Sequence, residues 1–221
     1  MDVPDLQARL RKTLPMARIE IESLSQCDDI RLALINEDFP TGPLPQQVVN
    51  DVVRSPAYWA FCWGAGLAMA RYLIDHPAWV ADRNVLDIGT GSGIVAIAAK
   101  KCGARNVIAC DNDPNALAAA RHNAALNSVN CQFSEDLNKV SPSVDIVLMA
   151  DVLYDESNFN LLKAAQKFAP KVLVADSRIP KMPVPGFTEI FMTESLTRPN
   201  LGEFDEFRTA RIFHWSQRHH Q

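Results

Sequence analysis

No stretch of this 221-residue chain approaches the roughly 20 consecutive apolar residues of a membrane-spanning helix, so no transmembrane segment is expected. A secretory leader is not expected either, because Asp2, Asp5, Arg9, Arg11 and Lys12 interrupt any apolar core near the start. A basic excess is also missing: 22 Lys and Arg face 26 Asp and Glu, for a net charge of −4. That balance argues against a broad nucleic-acid-binding face. Cysteine is sparse and odd in number (Cys27, Cys62, Cys102, Cys110, Cys131), with no C-x-x-C spacing. Buried thiols in a reducing cytoplasm explain such a set better than disulfides or zinc. The terminal pair His219-His220 has no further ligands near it in sequence, reads as part of a solvated tail, and predicts no metal site. What remains is a chain of 48% hydrophobic residues, enough for one cytoplasmic domain with an extension.

Glycine is scarce as well, at nine residues, yet three fall within five positions: Asp87-Ile88-Gly89-Thr90-Gly91-Ser92-Gly93. The apolar Val85-Leu86 ahead is strand-like, and Ile94 to Ala99 behind reads as a buried helix. A strand that turns through glycine into a helix lets a ligand touch bare backbone and aims the helix N-terminus at it. This predicts a nucleotide-like cofactor. A pyrophosphate is disfavoured, because Asp87 at the strand end would repel it at close range. A cofactor carrying an amine and a sulfonium suits that carboxylate. Asp111 follows 24 residues later, at the end of Asn106 to Cys110. The interval is close to that at which an acid meets a ribose diol in such folds. Asp113 precedes Pro114 and a helix-like run, and reads as an N-cap. In Ser134-Glu135-Asp136-Leu137 an acid could accept the adenine amino hydrogen, with Glu135 the more solvated of the two. Asp151 follows the apolar run Val144 to Ala150. Each acid thus ends a successive strand, along the edge where open α/β sheets bind ligands.

From Asn84 onward strand and helix patterns alternate, the mark of a parallel sheet. Phe187 to Ser195 and Phe207 to Trp215 break the alternation and predict an antiparallel edge pair. Residues 1–55 read as an N-terminal extension packed on the core, and residues 56–221 as the cofactor-binding domain. Leu6, Leu10 and Leu14 fall at helical spacing, Ile30 to Ile35 is strand-like, and Phe39 to Pro45 is a loop. Tyr58-Trp59-Ala60-Phe61-Cys62-Trp63-Gly64-Ala65-Gly66 concentrates two of the four tryptophans before an apolar helix. It either packs on the sheet or sends Trp63 and the glycines toward the cofactor, whose sulfonium an aromatic face would attract. Trp63 is the residue expected on the cofactor side.

The acid-and-glycine series resembles the class I, seven-β-strand, S-adenosylmethionine-dependent methyltransferases, from about Val85 to Trp215. The resemblance implies an α/β, Rossmann-like seven-stranded sheet, mostly parallel with an antiparallel C-terminal hairpin and helices on both faces. It implies S-adenosyl-L-methionine as cofactor. Asp87, Gly89, Gly91 and Gly93 would hold the methionine moiety, Asp111 the ribose with Asn112 beside it, and Asp136 the adenine, with Ala150 and Trp63 lining the site. The run Ala150-Asp151-Val152-Leu153-Tyr154 has no proline, unlike the Asn/Asp-Pro-Pro-Tyr/Phe run of nucleic-acid amino methyltransferases, so a flipped-base substrate loses support. Its D-x-x-Y pattern is similar to that of protein lysine methyltransferases. Tyr58 to Ala60, Trp63, Gly64, Gly66, Arg71 to Pro77, the glycine loop and Asp151 to Glu156 together resemble the electron-transfer flavoprotein β-subunit lysine methyltransferases. Where that family has a G-D-P-G-R-like turn, this chain has Ala175-Asp176-Ser177-Arg178. The resemblance implies Asp151 and Tyr154 as catalytic residues and a protein substrate, the flavoprotein β subunit, with no nucleic acid or membrane partner. A small-molecule N-methyltransferase, a ribosomal-protein methyltransferase and a non-catalytic cofactor-binding module stay open as alternatives.

Overall fold

A computed structural model describes residues 3–141, 143–202 and 204–217; the His219-His220 tail lies outside them. The chain opens with helix α1 (Val3–Arg11) and a hairpin of β1 (Ile19–Leu24) and β2 (Ile30–Ile35). Helix α2 (Gln46–Arg54) and α3 (Gly64–Asp75) follow. Then come β3 (Asn84–Ile88), α4 (Ile94–Lys101), β4 (Asn106–Cys110), α5 (Pro114–Leu126), β5 (Gln132–Ser134), β6 (Ile146–Ala150), α6 (Asn160–Phe168), β7 (Lys171–Asp176), β8 (Thr188–Glu194) and β9 (Thr209–Ser216).

Strands β3 to β9 form one seven-stranded sheet in the order β5-β4-β3-β6-β7-β9-β8. The pairs among β3 to β7 are parallel, and β9 runs antiparallel between β7 and β8. The mostly parallel sheet and its antiparallel C-terminal pair follow the expected architecture. Alternation along each strand divides the core. Val85, Ile146, Leu148 and Leu173 pack with α3 and α4 on one face. Leu86, Ile88, Val147, Met149 and Val172 pack with α6 on the other. These strands, covered by helices on both faces, are mostly apolar, with polar residues at or near their ends, such as Asp87 in β3 and Asp176 in β7. The order of strands reverses direction between β3 and β6, and ligands bind outside the strand ends at such a switch point.

Three local features differ from the sequence reading. The alternating Ile19-Glu20-Ile21-Glu22, for which the sequence reading gives no strand, belongs to β1, which pairs with β2 over its whole length. Residues 46–54 form α2, which has no fully buried residue and was legible only as part of a loop-rich extension. Gly64 and Gly66 lie buried in the first turn of α3 and do not line the cavity at the sheet edge. A Cβ at Gly64 would stand 2.8 Å from the Ser195 carbonyl oxygen, and one at Gly66 3.3 Å from the Ile94 side chain. These glycines permit close packing. The hairpin is tied to the core through α5: buried Asn123 accepts from the Ala33 N–H at 2.8 Å and donates to the Ser92 carbonyl at 2.8 Å.

Candidate functional site

The loop after β3 carries Gly89, Gly91 and Gly93 at φ values of 73°, 53° and 86°, all in the left-handed region. A Cβ at Gly89 would lie 2.3 Å from the Val152 side chain, so the ends of β3 and β6 close together only because this residue has none. The amides of Gly89 and Thr90 donate to the Cys110 carbonyl, Gly93 donates to Thr90, and the Gly91 amide donates to Asp111 Oδ2 at 3.0 Å. These amides are spent on the protein, one of them on a carboxylate, so the loop is no phosphate cradle. Gly89 and Gly91 line the cavity at the sheet edge; Gly93, packed against Ala120, does not.

Asp87 was expected to meet a ligand amine. Instead it is 1% exposed, is absent from the cavity wall, and accepts from the Thr90 hydroxyl at 2.6 Å. It braces the glycine turn from beneath. Burial pushes its pKa up to about 7, and the nearby Asp111 charge adds to the rise. A carboxyl whose folded pKa exceeds its unfolded value stabilises the fold while protonated. That contribution is present below about pH 4 and is lost as pH rises through about 7. The midpoint of thermal unfolding is therefore expected to fall between pH 5 and pH 8, and to fall less in Asp87→Asn. Equal pH slopes for the two proteins in a matched-salt melt would contradict this.

At the end of β4, Asp111 Oδ1 accepts from the Asp113 N–H at 3.0 Å while Oδ2 holds Gly91. Asp111 and Asn112 both line the cavity. Asp113 caps α5, accepting from the Asn115 N–H at 2.8 Å ahead of Pro114. Asp136, expected at the adenine, accepts from the Asn138 N–H at 2.8 Å and its amide at 3.0 Å, and lines no described hollow. Its neighbour Glu135 is the acid that faces the site. With Ile88, Leu137 and Leu161 it lines a second, largely apolar hollow that shares Gly89, Asp111, Asn112 and Tyr154 with the cavity.

Asp151, just past β6, adopts φ 52°, a conformation that Asp tolerates better than most residues. Its Oδ2 accepts from the N–H groups of Ala65 (2.7 Å) and Gly66 (3.2 Å), at the N-terminus of α3. Its Oδ1 accepts from the Ser177 hydroxyl at 3.2 Å. Three of a carboxylate's roughly four acceptor positions are thereby filled, leaving one toward the cavity that Asp151 lines. Burial raises its pKa to about 7, with the Asp176 charge adding to the rise. Asp176 is itself buried: Oδ1 accepts from the Arg178 and Ile179 N–H groups, and Oδ2 has no partner. The sequence pointed to Asp151 but carried no sign of its grip on α3, which joins residues 85 and 86 positions apart.

Ala150, Trp63, Tyr58 and Tyr154 complete the cavity wall. The Trp63 indole donates to the Tyr58 carbonyl at 2.9 Å. The Tyr58 ring lies 5.8 Å from that of Trp63 and 5.4 Å from that of Tyr154. Arg178, which the sequence reading noted only as part of a turn, also lines the cavity. The cavity encloses about 780 Å³, its open mouth included.

The chain is similar in sequence and in fold to known proteins. The family model for ribosomal protein L11 methyltransferase (PrmA) matches residues 73–167. The electron transfer flavoprotein beta subunit lysine methyltransferase of Mus musculus is 42% identical over 105 residues, which is 46% of this chain and 41% of that protein. A Caenorhabditis elegans homolog of that methyltransferase is 26% identical over 95% of this chain and 97% of its own. By sequence this chain is related to both these groups of methyltransferases. It spans about half the length, or less, of the vertebrate relatives it matches. In fold it is similar to the magnesium protoporphyrin IX methyltransferase of Synechocystis, solved with bound S-adenosylmethionine, at a TM-score of 0.53 and 16% identity over 99% of this chain and 98% of that one.

The residues of this methyltransferase relative fit the family's cofactor. The half-buried Asp111 carboxylate faces the cavity where a diol would be held. The apolar hollow with Glu135 at its edge suits a purine that has an amino group. The aromatic wall and the acids suit a sulfonium.

Proposed function

We propose that this chain is an S-adenosylmethionine-dependent protein-lysine N-methyltransferase that acts on the electron-transfer flavoprotein β subunit. The observation that carries this reading is Asp151. It is a carboxylate on the cavity wall, beyond the ribose-side acid, with one acceptor position open and its pKa raised to about 7. When bound, S-adenosylmethionine supplies an electrophilic methyl group on a sulfonium. A lysine nitrogen must reach that methyl neutral and in line. Asp151 draws in the ammonium, can take its proton near neutral pH, and leaves the nitrogen lone pair for attack. An ordinary carboxylate near pH 4 would hold the ammonium without deprotonating it. Tyr58, Trp63 and Tyr154 wall the approach and exclude water, and alignment itself can supply several kcal/mol of the barrier.

The names of the lysine-methyltransferase relatives support the flavoprotein substrate. The match to the L11 methyltransferase model supports a second reading, a ribosomal-protein acceptor. The proposed place of action is the cytoplasm. All five cysteines are free, and among the described residues no helix is long and apolar enough to cross a membrane. The deciding experiment offers tritiated S-adenosylmethionine and the purified chain to electron-transfer flavoprotein, to ribosomal protein L11 and to a lysate, followed by mass spectrometry. Label on a lysine of the flavoprotein β subunit is expected. Label on L11 alone moves the assignment to the second reading, and label on no protein ends both.

A further inference from the structure

Beside the cavity lies a second groove that the proposed chemistry does not use. It is lined by Phe61, Trp63, Arg178, Pro199, Leu201 and Phe207, with the side chain of Phe204 largely exposed at its edge. It encloses about 690 Å³, its opening included, and shares Trp63 and Arg178 with the cavity. Two charges of opposite sense meet across that shared wall. The cavity side carries Asp111, Asp113 and Asp151, whereas Arg178 is the single basic residue lining either hollow among the described residues.

The Arg178 guanidinium is held in place without a direct ion pair, although its charge reaches the buried Asp151 and Asp176 and opposes the rise of their pKa values. It stacks over the Phe207 ring at 4.6 Å. No carboxylate lies within ion-pair distance of it among the described residues, and its backbone N–H, not its side chain, is what bonds Asp176. A stacked guanidinium keeps its N–H fork free for a carboxylate. The two segments on either side of the groove are tied together next to its lining residues. Cys62 and Arg198 exchange both backbone hydrogen bonds at 2.8 Å, the Arg198 Nε donates to Glu22 at 2.6 Å, and the Gly64 N–H donates to the Thr197 hydroxyl at 3.2 Å. Segments already tied to each other lose less freedom when a ligand binds between them.

We propose that this groove is the subsite for the residues that flank the target lysine, and that Arg178 selects an acidic residue there. The inference rests on the protein-lysine reading above. The occupant is an extended protein segment that places a lysine in the acidic cavity, a glutamate or aspartate against Arg178, and an apolar side chain between Phe61 and Phe207. One residue of extended chain spans about 3.3 Å, and the two hollows share a wall, so the acid lies within about two residues of the lysine. A basic flank meets Arg178 directly and is rejected.

The test uses the full chain and three fluorescein-labelled peptides. Each has one lysine, a neighbouring test position occupied by Glu, Gln or Lys, and a leucine beyond it; anisotropy reads binding. The Glu peptide is expected to bind on the order of tenfold more tightly than the Gln peptide, as loss of a charge-assisted bond predicts, with the Lys peptide weakest. Arg178→Gln should level the first two, and Arg178→Glu should invert the order. Equal binding of the three peptides to the unaltered chain, no binding of any, or a preference that survives Arg178→Gln overturns the inference. The ranking on the unaltered chain decides the matter even if a variant does not fold. Labelling of lysate proteins, run in parallel, reads the lysine-methyltransferase assignment separately: label with no peptide preference sinks the groove alone, and no label sinks the assignment.

Discussion

Asp111→Ala is expected to weaken binding of S-adenosylmethionine and S-adenosylhomocysteine by on the order of 10²-fold or more, because two charge-assisted bonds to a ribose diol are worth about 3 kcal/mol or more together. The substitution also frees the Gly91 and Asp113 amides that the carboxylate now holds at 3.0 Å each, so the glycine loop loses its tether along with its ligand partner. The control is two residues away. Asp113→Ala removes the N-cap of α5 and should cost about 1 kcal/mol of stability with little change in affinity. Calorimetry with S-adenosylhomocysteine, alongside urea unfolding, separates the two. A larger affinity loss in the Asp113 variant would reverse the assignment of the two acids.

Asp151→Asn is expected to lower methyl transfer on the order of 10²-fold, the usual worth of a positioned proton acceptor, while cofactor affinity stays within a few-fold. Asparagine matches aspartate in size, tolerates the same left-handed backbone, and can present its oxygen to the Ala65 and Gly66 amides. It cannot take a proton or attract an ammonium. Asp151→Ala should behave differently. It leaves two amides at the start of α3 unpaired, costs roughly 1–3 kcal/mol, and lets the Trp63 wall shift, so affinity falls as well. Single-turnover rates on a lysine substrate from pH 6 to pH 9 check this. The unaltered chain should gain rate as Asp151 ionises through about pH 7, a step the Asn variant lacks. An Asn variant with normal rate and pH profile would reduce Asp151 to an anchor for α3.

The sheet and the position of the site were legible in the residues. Alternating strand and helix periods, glycine concentrated after one strand, and an acid at the end of each later strand are local patterns. A parallel sheet places all those strand ends along one edge. Asp113 was readable as a cap for the same reason, since Asp followed by Pro at a helix start is decided within a few residues.

The roles of individual side chains were decided by contacts between distant parts of the chain. Whether Asp87 faces a ligand or the core depends on how β3 is covered, and the covering helices bury it beneath the glycine turn. Whether Glu135 or Asp136 faces the hollow depends on a single residue of register after β5, where side chains alternate direction. Asp151 was found as a strand-end acid, but its grip on α3 and its proximity to Asp176 exist only because β6 and β7 are neighbours in the sheet. Gly64 and Gly66 suggested a ligand, yet the empty space they provide is filled by Ser195 and Ile94. By itself the sequence determined where a cofactor would lie and which residue types surround it. The tertiary structure decided which of those residues line the cavity, because burial, register and the pairing of distant strands belong to no local segment.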